Sequence, residues 1–450
     1  MNAGSLVTRT LVPLAVAALV SVTATDARGQ SDGEQTTPVP VVVSSIAATP
    51  DPGAVTPPPA TDAAAQAPAA APAPEPKPAI DIYGAAMLDM GFQVEQNNPD
   101  WFDVVRPSKL PSFKHEFGRD GHNFAGFRQS RMGVKTTTPT TLGDLKTTFE
   151  FELFGVGVDA GQTTFRLRDV WGQLGHFGAG QTDSPFMDGS IFPNSLEYWG
   201  PNGMVYFKNV QFRYMPLQGD NELVFAAERP GASGDAGIFA QRIELQNVQG
   251  RFPSPDFSTH YRATRPWGHV QLAGIVRIIR WDDLVDDQID LSGKATGWGV
   301  DLTSNIKLGA DTVHLGAVYG EGIENYMNDA PIDVATVPNL GNRVTPIRGK
   351  TLPILGLVAF YDRTWSDKWT SSAGYSRVDI DTTSGQLPSD FKRGEYALGN
   401  LLYYPVKNVL VGGEFQWARR DNHSDGFRVD DKRVQFSFKY SFSYKVGGQS

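Results

Sequence analysis

The chain contains no cysteine, which removes disulfides, thiolate zinc sites, iron–sulfur clusters and cysteine nucleophiles together. It also lacks any cluster of Lys and Arg. With a formal net charge of −9, a general nucleic-acid-binding surface is excluded. Histidine is sparse, at positions 115, 122, 176, 260, 269, 314 and 423, with no H-E-x-x-H or other ligand spacing, and no Gly-x-Ser-x-Gly elbow occurs. Gly231-Ala232-Ser233-Gly234-Asp235 reads as a loop, so neither an enzyme activity nor a cofactor is expected. Long apolar runs are absent except at the extreme N-terminus. A mean hydropathy of −0.28 therefore argues against a bundle of membrane helices.

That N-terminal run reads as an address. Arg9 precedes a short apolar core from Leu11 to Val20, and the small residues Ala24, Ala27 and Gly29 follow, the pattern of a secretory signal peptide over residues 1–29. Cleavage after Ala27 and cleavage after Gly29 both satisfy the small-x-small rule. Residues 30–79 are dense in proline and alanine and bury too little apolar surface to order themselves. They are expected to form a disordered periplasmic linker.

From residue 80 to 450 alternation with period two dominates. Val434, Phe436, Phe438, Tyr440, Phe442 and Tyr444 fall on one face of a strand, while Arg433, Gln435, Ser437, Lys439, Ser441 and Ser443 fall on the other. A soluble sandwich and a membrane barrel can both produce this pattern. Strand length favours the barrel, because the alternating segments exceed the ~5–6 residues usual in soluble sheets and suit tilted strands crossing an outer membrane. Short Gly-, Pro- or Asn-containing turns also take turns with long loops, as two ends in different compartments require. Counting gives an all-β fold, a transmembrane antiparallel β-barrel of about 16 strands. The first strand lies over 80–92, the fifth over 177–188 and the last over 431–444. Trp199, Trp267, Trp281, Trp365, Trp369, Tyr403, Tyr404, Trp417 and Tyr444 are assigned to interfacial aromatic girdles.

Several stretches resemble a known family. Arg128-Gln129-Ser130-Arg131-Met132-Gly133-Val134-Lys135-Thr136, Phe165-Arg166-Leu167-Arg168-Asp169-Val170-Trp171-Gly172, the run from Gly178 to Asp188, and Gly200-Pro201-Asn202-Gly203 resemble the DcaP-type trimeric porins of Gram-negative outer membranes. The likeness is densest over residues 123–216. It implies a homotrimeric outer-membrane channel with its N-terminal segment in the periplasm. Two features depart from it: the Pro/Ala segment cannot form the N-terminal coiled coil common in that family, and the chain continues past Tyr444 rather than ending on an aromatic residue.

Strand parity then selects lumen residues. Keeping Phe165, Leu167, Met132 and Val134 toward lipid turns Arg166, Arg168, Arg131 and Lys135 inward. The same argument turns Arg213 and Arg277 inward, giving a basic ladder suited to small anions and especially carboxylates. The long connection 189–205 is the expected constriction loop, with Asp188 and Glu197 opposing the arginines. Outer-membrane lipid and lipopolysaccharide are the other expected partners. The rival expectation is an adhesin-like or structural barrel. Acidic loops at Asp282-Asp283, Asp286-Asp287 and Asp379–Asp381 read as solvated turns in preference to calcium sites.

Overall fold

The computed structural model describes residues 77–447, so the expected signal peptide and nearly all of the expected linker lie outside the described residues. Within them the alternating segments form sixteen barrel strands. These are β1 (Ala79–Gln93), β2 (His122–Gly126 continued by Arg131–Thr140), β3 (Gly143–Phe154), β4 (Thr163–Leu174), β5 (Phe177–Asp183), β6 (Lys208–Leu217), β7 (Asn221–Glu228) and β8 (Asp256–Arg265). The second half comprises β9 (Gly268–Asp283), β10 (Gly293–Leu308), β11 (Asp311–Glu321), β12 (Pro353–Ser366), β13 (Trp369–Ile380), β14 (Phe391–Tyr403), β15 (Val409–Asn422) and β16 (Arg428–Gly447). Each strand pairs antiparallel with its neighbours in sequence. β1 closes the ring on β16, from Ala79 opposite Gly447 to Gln93 opposite Arg433, so no strand edge is left without backbone partners.

Short turns gather at one end of the barrel and long loops at the other. Gly268 shows why glycine is needed at the tight end. Its φ is 133°, and an added Cβ would lie 1.8 Å from the Asn305 carbonyl oxygen. Asn408, in the turn between β14 and β15, adopts φ 70°, a conformation its short polar side chain tolerates. Trp267, Trp365 and Trp369 are exposed around this end, and Trp369 stacks on Tyr403 at 4.5 Å. Three of the residues assigned to girdles lie elsewhere. Tyr404 packs inward with Leu196 and Leu402, its hydroxyl accepting from the Asn194 amide. Trp199 sits within an inward-folded loop against Trp101, and the Trp281 indole is half-buried, donating to the Leu291 carbonyl.

The barrel is not hollow throughout. Loop residues Phe186, Ile323, Tyr326 and Met327 pack on Val318, Ile354 and Val378, and Val105, Leu110, Ile191 and Met204 pack on Val358, Phe360, Tyr396 and Leu398. Three loops, covering 94–121, 184–207 and 322–352, thus build apolar cores inside the ring against β11–β14. Aqueous space is displaced toward the opposite wall. β5 ends at Asp183, short of the expected 188, because Ser184 already begins the inward turn: its hydroxyl donates to Glu228 and accepts the Phe186 N–H.

Candidate functional site: the lumen and its constriction loop

A cavity of about 910 Å³ lies between the inward loop 184–207 and the inner faces of the wall from β2 to β9, with further lining from β1, β15 and β16. Parity sets which side chains reach it. Phe165 and Leu167 are exposed on the outside of β4, so Arg166 and Arg168 point in. A β-bulge then intervenes. Glu150 pairs with Asp169 and Phe151 with Leu167, leaving Arg168 as the extra residue, so that Arg168 and Asp169 both line the cavity.

Four of the six residues of the expected ladder meet at this cavity. Arg131, Arg166, Arg168 and Arg213 line the cavity. Arg131 and Arg166 keep about a third of their side-chain surface exposed (36% and 34%), and their nearest carboxylates, Glu150 and Glu152, are 3.9 and 3.4 Å away. Arg168 is held much more firmly. It is buried, lies 3.2 Å from Glu152 and 3.5 Å from Glu150, and donates to the Tyr198 and Tyr206 hydroxyls at 2.8 and 2.9 Å. Arg213 spends its donors on the Asp183 carbonyl and Gln211 and lies 5.0 Å from the Trp171 ring. Lys135 is exposed but does not line this cavity. It sits nearer the short-turn mouth, 4.9 Å from the Tyr83 ring.

Two of the expected assignments need correcting. Arg277 faces inward, as parity requires, but has no exposure to the lumen: Asp256 and Asp333 each pair with it at 2.9 Å, and the Gly322 and Gly231 carbonyls take its remaining donors. It ties loops to the wall. Glu197 does not oppose the arginines as a free charge, because it is buried and accepts the N–H groups of Val105 (3.0 Å) and Gly200 (2.5 Å) and the Tyr396 hydroxyl. Burial pushes its carboxyl up from the usual 4.5 to about 7, against the lowering effects of those N–H bonds and of Arg433. The sign follows from linkage. The raised native pKa means that ionising Glu197 destabilises the fold, at no cost below about pH 4.5 and with the full penalty above about 7. Glu197→Gln removes the charge and, like the protonated acid, has one acceptor oxygen free of hydrogen where the carboxylate offers two. Its thermal midpoint in detergent is expected to rise over wild type at pH 8 and to match it at pH 4.5; an equal difference at both pH values would contradict the assignment.

Asp188 holds the near end of the loop to the wall. It meets Arg262 of β8 at 3.2 Å, His269 of β9 at 2.7 Å and Thr303 of β10 at 2.8 Å, and caps its own turn through Ser190. Burial opposes its charge. Hydrogen bonds from His269 and Ser190 and the Arg262 guanidinium nevertheless keep its carboxyl well below the usual range. Ser190, His269 and Asp188 invite comparison with a catalytic triad, but both oxygens approach the same ring nitrogen, Nε2, at 3.4 and 2.7 Å. A relay needs them on opposite nitrogens. The far end of the loop is fixed by Asn194 to Asp362 and by the Leu196 and Glu197 N–H groups to Glu414.

Parity reasoning passed over Arg262 and Lys439, which line the same cavity. Both carried the signal, since Arg262 alternates with Tyr261 and Lys439 with Phe438 and Tyr440. Arg106 also lines it, lying 3.9 Å from the Trp199 ring and paired with Asp329 at 2.9 Å. It belongs to a loop, where no periodicity exists to reveal it. Among the described residues no group of three or more His, Asp or Glu side chains is arranged to hold a metal ion. The acidic loops use their carboxylates locally: Asp282 pairs with Arg251, Asp287 accepts the Ile289 N–H, and Asp379 pairs with Arg377 and Arg393.

A closed barrel of sixteen strands with an inward loop narrowing its lumen is the architecture of a porin. The chain belongs to the DcaP outer membrane protein family, whose profile it matches over residues 121–442. It is therefore a channel-forming protein of the Gram-negative outer membrane. Among solved structures it is similar to the outer membrane channel DcaP of Acinetobacter baumannii, with TM-score 0.66 and 20% identity over 81% of this chain and 97% of that one. It is also similar to an anion-selective porin from Comamonas acidovorans, with TM-score 0.51 and 10% identity over 81% of this chain and 100% of that one. No curated protein matches the chain by sequence.

Proposed function

We propose that this porin is a passive diffusion channel preferring small anionic solutes, above all carboxylates and dicarboxylates, through an arginine-lined constriction. It works as a homotrimer and without catalysis. Its short turns and both termini face the periplasm, the 30–79 segment is a periplasmic tether behind a cleaved signal peptide, and the long loops face outward. The observation carrying the selectivity is the balance of charge along the cavity: eight basic side chains against six acidic ones, with Glu197 among the acids fully buried. Arg131 and Arg166 are the cations most open to solute, and Arg262 extends the series on the facing strand. A guanidinium fork matches a carboxylate bidentately, and a narrow water-filled lumen strengthens its field.

Planar-bilayer recording under a salt gradient tests this. Wild type is expected to give a reversal potential on the anion side, and Arg131→Gln with Arg166→Gln should lower the anion-to-cation permeability ratio several-fold. These two are preferred to Arg168, whose removal would strand the buried Glu152. A cation-selective wild type, or a reversal potential unmoved by the double substitution, would sink the selectivity; absence of stepwise conductance would sink the channel itself.

A further inference from the structure

At the long-loop end of β13–β16 the outer surface of the barrel changes from apolar to charged in an ordered way. Arg377, Glu395, Arg419 and Asp430 are register neighbours across the four strands, and one row further out so are Asp379, Arg393, Asp421 and Arg428. Signs alternate along each row and between rows. Pairs run along the rows, Arg419 with Asp430 at 2.6 Å and Glu395 at 3.6 Å, Arg428 with Asp421 at 2.6 Å, and Arg393 with Asp421 at 3.7 Å, and Arg377 with Asp379 at 2.5 Å joins the two rows. All eight share the outward parity of Phe415 and Phe436, whereas Val378, Tyr396, Ala418 and Asp431, each next to a lattice residue in sequence and of opposite parity, are buried inside. The row nearer the membrane centre holds Tyr375, Ala397, Trp417 and Lys432, so on β13 and β15 the lattice begins just past an aromatic residue, as at head-group depth, while on β16 the charge reaches one position deeper.

Exposed pairs of this kind add little to stability, so stability does not explain eight paired charges on a lipid-facing flank. After pairing, the guanidiniums remain about a third exposed, and Arg428 more than half. A layer of phosphorylated lipid head groups is itself a lattice of anions bridged by cations. Arginines in this array can substitute for the bridging cations toward phosphate, and the carboxylates can substitute for phosphates toward the remaining cations.

We propose that the β13–β16 lattice is a docking site for the phosphorylated saccharide head group of outer-leaflet lipopolysaccharide, with its arginines on the phosphates. The inference rests on the orientation proposed above and is independent of pore selectivity. Orientation has its own readout: the chain has no cysteine, so Leu340→Cys at an exposed long-loop tip should react with an impermeant maleimide on intact cells.

Docking is tested on the full barrel in detergent by native mass spectrometry, titrating minimal-core lipopolysaccharide, its dephosphorylated form, phosphatidylglycerol and inorganic pyrophosphate. Wild type should bind the phosphorylated form best, and Arg393→Gln with Arg419→Gln should weaken that binding roughly tenfold or more. Arg428→Gln, at the exposed edge, should weaken it by a few-fold and covers the case in which the double variant does not fold. Equal binding by wild type and variants, equal binding of phosphatidylglycerol, or pyrophosphate binding as tightly as the phosphorylated lipid would each overturn the proposal. A change of oligomeric state in the double variant would do so as well, by assigning the face to contact between subunits.

Discussion

Replacing Arg277 by methionine is expected to release the long loops from the barrel while the barrel itself stays closed. Among the described residues Arg277 is the one cation paired with buried Asp256 and buried Asp333, and its remaining donors reach carbonyls in two loops, at Gly231 and Gly322. Asp333 in turn accepts the N–H groups of Ser233 and Asn325, so the guanidinium gathers three segments at one point. Methionine fills much of the volume but strands two carboxylates in a dry site. Breaking a buried pair from one side destabilises by about 3–5 kcal/mol. Glu324 makes the site less forgiving. It is buried with neither carboxyl oxygen hydrogen-bonded, and burial together with Asp333 pushes its carboxyl well above the usual range, so it cannot absorb another charge.

The pH dependence of that variant has a definite sign. Carboxylates that lose their cation in a buried site acquire a raised native pKa, so their penalty grows as pH rises above the ordinary carboxylate range and fades below it. Limited proteolysis should cut Arg277→Met within 231–255 and 330–352 at pH 8, far less so at pH 4.5, and leave the strands intact at both. Arg277→Lys restores the charge, but a single ammonium cannot reach four acceptors, so intermediate sensitivity is expected. Loops as resistant as wild type at pH 8 in both variants would remove Arg277 from this structural role.

Arg277 also marks where sequence reasoning stops. Parity correctly turned it inward, because period two fixes the face of every residue once one neighbour is known to meet lipid. Parity says nothing about what waits inside. A loop of low periodicity brings Asp333 to Arg277, and nothing in the spacing of residues 322–352 announces that contact. The same holds for Glu197, whose acidic character suggested a free charge and whose partners, Val105 and Gly200, are backbone groups of two loops. One signal was legible and not used. In Ile354-Leu355-Gly356-Leu357-Val358-Ala359-Phe360 both faces of β12 are apolar, which a water-filled lumen does not require. Leu355 and Leu357 face lipid, while Ile354, Val358 and Phe360 receive the inward loops. A strand greasy on both sides is one covered on both sides. The strand count and most strand limits were readable because lipid on the outside enforces alternation; the bulge at Arg168 was not, since bulges depend on local register.

Asp188→Ala is the substitution expected to change the channel most. The constriction loop is pinned at one end by Asp188 and at the other by Asp362 and Glu414, so removing Asp188 frees one end only. Three strands lose a contact at once, leaving Arg262 on the cavity wall and the buried His269 without their carboxylate. Discounting for the partial exposure of Arg262, the local loss is about 2–3 kcal/mol. Two electrical consequences separate. The lumen loses a negative charge, so anion preference should increase, opposite in sign to the effect of removing Arg131 and Arg166. The loop also gains freedom, so open-channel noise should rise. Asp188→Asn distinguishes the causes: the amide carries no charge but keeps one acceptor oxygen, able to serve the Ser190 turn on the Oδ1 side while the Oδ2 contacts with Thr303 and His269 weaken, so it should reproduce the selectivity change with less noise than alanine. Because the wild-type carboxyl is held below its usual range, its anchor should persist through mild acid, and wild-type channels should stay quiet down to about pH 4. Quiet Asp188→Ala channels with unchanged reversal potential would show that the loop is held without this carboxylate, and would shift its anchoring to the Asn194 and Glu197 end.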